Sequence, residues 1–253
     1  MRKLSTLLIG AAVLQAATLS AIVINYNGTA LPDDANFTEP GNPGNNASIY
    51  TTVVFRDTSW QVEDGFLKMD TSFLRGIWFG GHPSAEGDGS TFRPSNTTVG
   101  NRLTSTFLIT PGSEGWDMIL SDNSGYYAAF EIEATDNERN RPGISVYTGD
   151  GSTIVVTDPS FNVNVQHTYS MHIHDGNVAY FIDGDVVYSG PAWQPGQTNY
   201  YLLGDASGNT PTGSGSMWLS FMSFDNAAGA IPEPSQFSLL FALAALALLR
   251  LRR

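Results

Sequence analysis

Three carboxylates stand close together in Glu131-Ile-Glu133-Ala-Thr-Asp136. Two acids two residues apart on a β-strand point to the same face. Retaining hydrolysis of a glycosidic bond needs two carboxyl groups about 5 Å apart, one as nucleophile and one as acid. Glu131 with Glu133 or Asp136 fits that need, although Asp136 is the shorter side chain and reaches less far as an acid. The same residues also read as an acidic strand face turning into a polar loop at 137–142. Catalysis by these three is therefore the alternative reading, and no catalytic residue is assigned.

His172 and His174 also share a strand face, with Asp175 beside them. Such a pair binds zinc or copper when a third ligand converges on it. The sequence identifies no third ligand, so the metal stays unknown. His167 reads as a residue packed at a strand start. Five tryptophans (Trp60, Trp78, Trp116, Trp193 and Trp218) and ten tyrosines offer faces for stacking on sugar rings. Trp193 lies in a loop pattern between Pro191 and Pro195 and is the candidate ligand-binding residue. Trp60 and Trp218 sit in strand patterns and read as core. Asp33-Asp34, Glu86 with Asp88, Asp150 and Asp205 offer the oxygen ligands that Ca2+ takes. None matches a defined calcium loop, so no cofactor is assigned, and calcium is the one these loops admit.

The elements that must position these groups are strands. Residues 22–230 contain many short apolar runs, punctuated by Gly, Asn, Asp, Ser and Pro about every 8–12 residues, the signature of an all-β sandwich or barrel. The clearest stretch begins at Thr168. Tyr169, Met171 and Ile173 fall on one face; Thr168, Ser170, His172 and His174 fall on the other. Asp175-Gly176-Asn177 turns the chain, Val178, Tyr180 and Ile182 continue the alternation, and Asp183-Gly184 turns it again. Further strands are expected at 22–26, 48–55, 66–70, 76–79, 102–109, 116–120, 127–134, 143–148, 153–156 and 217–224. Loops are expected at 80–96 and 137–142.

HTYSMHIHDGNVAYFIDGDVVYSG, residues 167–190, resembles the paired strands of laminin-G-like, concanavalin-A-like jelly-roll domains. Trp60-Gln-Val-Glu-Asp-Gly-Phe-Leu67 is similar to the W-x-V-x-D-G-x-L opening of such domains, and 115–122 and 217–225 fit the same architecture. The resemblance implies an antiparallel jelly-roll β-sandwich over most of 50–226. It leaves function open, because this fold hosts lectins, glycosidases and structural modules. Within it, 131–136 is similar to the E-x-D-x-x-E strand of jelly-roll β-glucanases, with the second and third acids exchanged in type.

The two ends read differently. Residues 1–21 carry Arg2 and Lys3, a short apolar run and small residues, the layout of a secretory signal peptide. At the other end Pro232-Glu233-Pro234-Ser235 forms a stiff junction that continues neither helix nor strand. An apolar run at 237–249 follows, expected to be helical and shorter than the ~20 residues of a usual spanning helix. Arg250, Arg252 and Arg253 close the chain. Together these resemble a PEP-CTERM sorting signal over 231–253, which implies export and recognition by an exosortase-type membrane enzyme in a polysaccharide-producing bacterium.

Residues 22–230 hold 7 Lys+Arg against 23 Asp+Glu, a net of −16, which argues against nucleic acid as a partner. The chain has no cysteine, so disulfides and thiolate chemistry are excluded. There is no G-x-S-x-G, no phosphate-binding glycine loop after a strand and no basic patch. The expectation is one exported β-sandwich at 22–230, non-enzymatic, binding extracellular polysaccharide or serving as a matrix component. Its location is the cell envelope, outer surface or extracellular matrix, with the C-terminal helix at least transiently in the inner membrane.

Overall fold

The computed structural model describes residues 23–26, 59–71, 78–81, 98–113, 116–133, 143–158, 160–196, 200–205 and 215–231. The signal peptide, the strand expected at 48–55, Asp136, the acidic loops at 33–34 and 86–88, and Pro232, Glu233, Pro234, Arg250, Arg252 and Arg253 lie outside them.

Every regular element among the described residues is a strand. The order is β1 (Val23–Tyr26), β2 (Ser59–Glu63), β3 (Phe66–Thr71), β4 (Trp78–Gly81), β5 (Asn101–Ile109), β6 (Trp116–Ser121) and β7 (Tyr127–Glu133). Then come β8 (Gly143–Tyr147), β9 (Thr153–Val155), β10 (His167–His174), β11 (Asn177–Ile182), β12 (Asp185–Pro191), β13 (Tyr200–Asp205) and β14 (Gly215–Asp225). They form an eight-stranded sheet, ordered β12-β11-β10-β5-β14-β3-β2 with β1 also on β14, and a six-stranded sheet, ordered β4-β13-β6-β7-β8-β9. All pairings are antiparallel. The all-β sandwich is as expected. No helix among the described residues is long and apolar enough to cross a membrane.

Three hairpins close on Asp-Gly. Asp64 and Gly65 have φ of 52° and 82°, Asp175 and Gly176 48° and 72°, Asp183 and Gly184 52° and 90°. Positive φ at both central residues gives a turn whose twist matches the flanking strands, and Asp-Gly tolerates it well. These turns fix the register of β2–β3, β10–β11 and β11–β12, and so decide which face each side chain takes.

The core lies between the sheets. Tyr201 of β13 stacks on Phe224 of β14 at 4.2 Å, and Phe130 of β7 packs against Tyr169 and Tyr180 at 5.7 and 5.1 Å. β13 is absent from the sequence expectations because Tyr-Tyr-Leu-Leu shows no alternation. It lies between β4 and β6, and Tyr200, Tyr201, Leu202 and Leu203 are all buried, so both faces are covered and the strand reads as a continuous apolar run. The strand expected at 76–79 is found at Trp78–Gly81.

On β10, Tyr169, Met171 and Ile173 are buried as the alternation requires. The other face departs from expectation at one residue. Thr168, Ser170 and His174 are half-buried, but His172 is 1% exposed. Residues 226–231, which follow β14, are fastened beside it: the Ala228 and Gly229 amides donate to the carbonyls of Gly100 and Val99 at 3.0 and 3.1 Å. His172 Nε2 donates to the Gly229 carbonyl at 3.0 Å. That nitrogen is thus engaged in holding the chain. Among the described residues no group of three or more His, Cys, Asp or Glu is placed to hold a metal. His167, at the start of β10, lies 2.6 Å from Asp183 Oδ2 and packs on Phe161 at 4.4 Å, the structural role its position suggested. Trp218 differs from its core reading: it is half-buried on the outer side of the eight-stranded sheet, against Phe66 at 6.0 Å and under the Lys68 ammonium at 5.5 Å.

Candidate functional site

β7 carries the acidic motif in the six-stranded sheet. Its even residues, Ala128, Phe130 and Ile132, enter the core. Its odd residues, Tyr127, Glu131 and Glu133, are half-buried on the opposite, outer face. Strand pleating alone puts Glu131 and Glu133 on one side, as the sequence implied. Antiparallel pairing then sets Asp117 of β6 directly opposite Glu131. Ser145 of β8 lies opposite Glu131 on the other flank.

An aromatic cluster adjoins the acids. Tyr147 ends β8 and its hydroxyl donates to Glu131 Oε1 at 2.9 Å. Its ring stacks on Trp193 at 5.4 Å and 7°, and Tyr127 meets both rings edge-on at 5.4 Å. Trp193 is not a free loop tip. Its carbonyl accepts from the Tyr127 amide at 2.7 Å, forming an isolated bridge to β7. Its ring also lies against Gly151, where an added Cβ would come within 2.7 Å of the indole. Gly151 has φ of 81°, so the position suits glycine on two counts. The Tyr127 hydroxyl is held far above its usual acidity range, chiefly by burial and then by Tyr200 and Asp117. Burial pushes Tyr200, next to this cluster, up to about 12. Both therefore act as neutral O–H groups at ordinary pH.

Where β8 parts from β7, a core side chain fills the gap. The hydroxyl of Tyr180, on β11 in the other sheet, accepts from the Ala129 amide and donates to the Tyr147 carbonyl, both at 3.1 Å.

Among the described residues the lysine and arginine side chains, Lys68 and Arg102, belong to the eight-stranded sheet. The described part of the outer face thus presents carboxylates and aromatic rings. Such groups suit a hydroxyl-rich ligand. Sequence reading found Glu131, Glu133 and Trp193 but missed Tyr127, Tyr147 and Asp117. Tyr127 was legible, since it alternates in phase with Glu131. Tyr147 and Asp117 depend on cross-strand register, which local sequence does not carry. Asp136 lies outside the described residues, as do the side chains of Trp60, Trp78 and Asp205. Asp150 is exposed and engaged by its own turn, accepting from Thr148 and Ser152 hydroxyls at 2.6 Å each.

No family model matches the chain. No curated protein matches it either. Among solved structures, the chain is similar to the Crh5 transglycosylase in complex with NAG, at 15% identity and TM-score 0.52, covering 83% of this chain and 86% of that one. The apo Crh5 transglycosylase gives 15% identity and TM-score 0.52, covering 84% and 87%. At these identities the likeness shows the fold alone, a jelly-roll sandwich.

Proposed function

We propose that this chain is an exported envelope or matrix protein whose sandwich binds polysaccharide on the outer face of the six-stranded sheet without cleaving it. The hydrogen bond from Tyr147 to Glu131, set within the Tyr127–Tyr147–Trp193 cluster, carries the reading. Aromatic faces stack on the apolar faces of sugars, and a carboxylate beside them accepts from sugar hydroxyls. The transglycosylase that shares the fold was solved with NAG, which agrees with a carbohydrate ligand. Export follows from the signal-peptide layout of 1–21 and the PEP-CTERM-like 231–253, read by an exosortase-type enzyme.

A second reading is glycoside hydrolysis, favoured by the placement of Glu131 and Glu133 on one face with Asp117 opposite. Against it stands the exchange of acid types in 131–136 relative to the β-glucanase pattern. The test incubates purified protein with β-glucans, galactans and host exopolysaccharide and assays both retention and new reducing ends. Retention alone is expected. Reducing ends that vanish in Glu131→Gln would establish the hydrolase instead. Neither result on any polymer would leave a purely structural matrix role. For the sorting signal, mass spectrometry of protein from its native host should find no peptide from 237–253. Full-length protein kept in the membrane would refute processing.

A further inference from the structure

We infer that Tyr180, a core residue of the opposite sheet, is a positioning residue for the outer-face site, because its hydroxyl sets how far β8 stands from β7 and so where Tyr147 sits. The inference rests on the glycan-binding reading of that site.

The β7–β8 register pairs Phe130 with Val146, Glu131 with Ser145 and Ile132 with Ile144. Continued by one residue, it would set Ala129 opposite Tyr147. A regular antiparallel rung would join the Ala129 amide directly to the Tyr147 carbonyl. Instead the Tyr180 hydroxyl stands between them, accepting from one and donating to the other at 3.1 Å each. Two legs of 3.1 Å through the hydroxyl replace the direct bond of about 2.9 Å. Just beyond, the same edge of β7 passes to another partner: the Tyr127 amide donates to the Trp193 carbonyl at 2.7 Å. The hydroxyl therefore sits at the point where β8 leaves β7 and the Trp193 segment takes over.

The consequence lies on the other side of the sheet. Tyr147, whose carbonyl is held off, is the residue whose phenol reaches Glu131 and whose ring stacks on Trp193. Closing the rung would draw the Tyr147 backbone toward β7 and misplace both contacts. Tyr180 is itself fixed: it is fully buried, with Phe130 edge-on at 5.1 Å and Tyr188 at 6.0 Å. A hydroxyl that only satisfied two buried polar groups would affect stability. One that sets the strand spacing also affects the site.

Tyr180→Phe in the full-length protein keeps the ring and removes the oxygen. The control is Tyr169→Phe, which removes a buried hydroxyl that has no hydrogen-bond partner among the described residues. If wild type binds a polymer, Tyr180→Phe should bind it at least fivefold more weakly, and Tyr169→Phe within twofold of wild type. Equal affinity for Tyr180→Phe and wild type would overturn the inference and leave the glycan reading intact. If wild type binds none of the polymers, the glycan reading fails, and the positioning is read without ligand. The Trp193 contribution to fluorescence, taken as the difference from Trp193→Phe, should then shift in Tyr180→Phe and not in Tyr169→Phe. No shift overturns the inference. Should Tyr180→Phe fail to fold, NMR of wild type decides. The Tyr180 hydroxyl proton should show a cross-relaxation peak to the Ala129 amide and move on ligand saturation, and an unmoved resonance overturns the inference.

Discussion

His172 Nε2 donates to the carbonyl of Gly229 at 3.0 Å, so a histidine on the outer side of a sheet is buried by the chain it holds. Its pKa is lowered from 6.5 to about 4, chiefly by burial, with Arg102 and His174 pushing the same way and the Gly229 bond and Asp225 opposing. Because the folded value is depressed, the stability this group contributes is fully present above about pH 6.5. It is lost as pH falls toward 4, by up to about 3 kcal/mol. Urea unfolding of wild type and His172→Gln should show the gap between them shrinking from pH 7.5 to pH 4.5. A gap that does not change with pH would refute the linkage.

The neighbouring position tests the register. Ile173 is fully buried, whereas His174 is half-buried on the outer face. Ile173→Ala should cost about 2–5 kcal/mol and His174→Ala well under 1 kcal/mol. Chemical denaturation reads both, and equal losses would contradict the alternation.

Asp122 closes the β6–β7 turn fully buried. Its Oδ1 accepts from the Ser124 and Tyr126 amides at 2.9 and 3.0 Å, while Oδ2 has no hydrogen-bond partner among the described residues. Burial raises its pKa, outweighing the amide hydrogen bonds. A carboxyl raised in the folded state contributes stability at low pH that is lost as pH rises through its folded value. Asp122→Asn keeps an oxygen acceptor and removes the charge. It should melt no lower than wild type at pH 7.5, with any advantage gone by pH 3.5. A clear loss at pH 7.5 would mean that the ionised group is properly compensated.

Trp193 is both a ligand candidate and a packed residue, so its truncation mixes two effects. Trp193→Ala should cost about 2 kcal/mol of stability, since the Tyr127 and Tyr147 rings lose their shared neighbour. Gly151→Ala disturbs the same ring from outside, by backbone strain and by contact with the indole. It should lower the melting temperature and alter tryptophan fluorescence, and an unchanged spectrum would refute the Gly151–Trp193 contact.

The legible parts of this fold were those written locally. Period-two runs such as 168–174 and the Asp-Gly turns gave strand, face and hairpin directly. The 131–133 acids were placed correctly because strand pleating needs no partner. What local sequence could not carry was partner choice. Tyr147 meets Glu131 only through the β7–β8 register. Tyr180 reaches Ala129 only because the two sheets face each other. His172 is covered by a segment that follows it by more than fifty residues. β13 was hidden for the opposite reason, since a strand buried on both faces has no polar phase to read.

β14 is the last described strand and also the one on which the large sheet depends. It pairs with β5 on one edge, and with β3 and then β1 on the other, a change of partner accompanied by a bulge between Leu219 and Phe221. The earliest described strand waits for it: Val23 faces Asp225. No sheet containing β1, β3 and β5 together can close until nearly all the intervening chain is available. Contacts this far apart in sequence make folding slow, because the loop must be closed before the pairing rewards it. As the chain emerges from its N-terminus during synthesis, such a sandwich stays open and shuts only when β14 arrives.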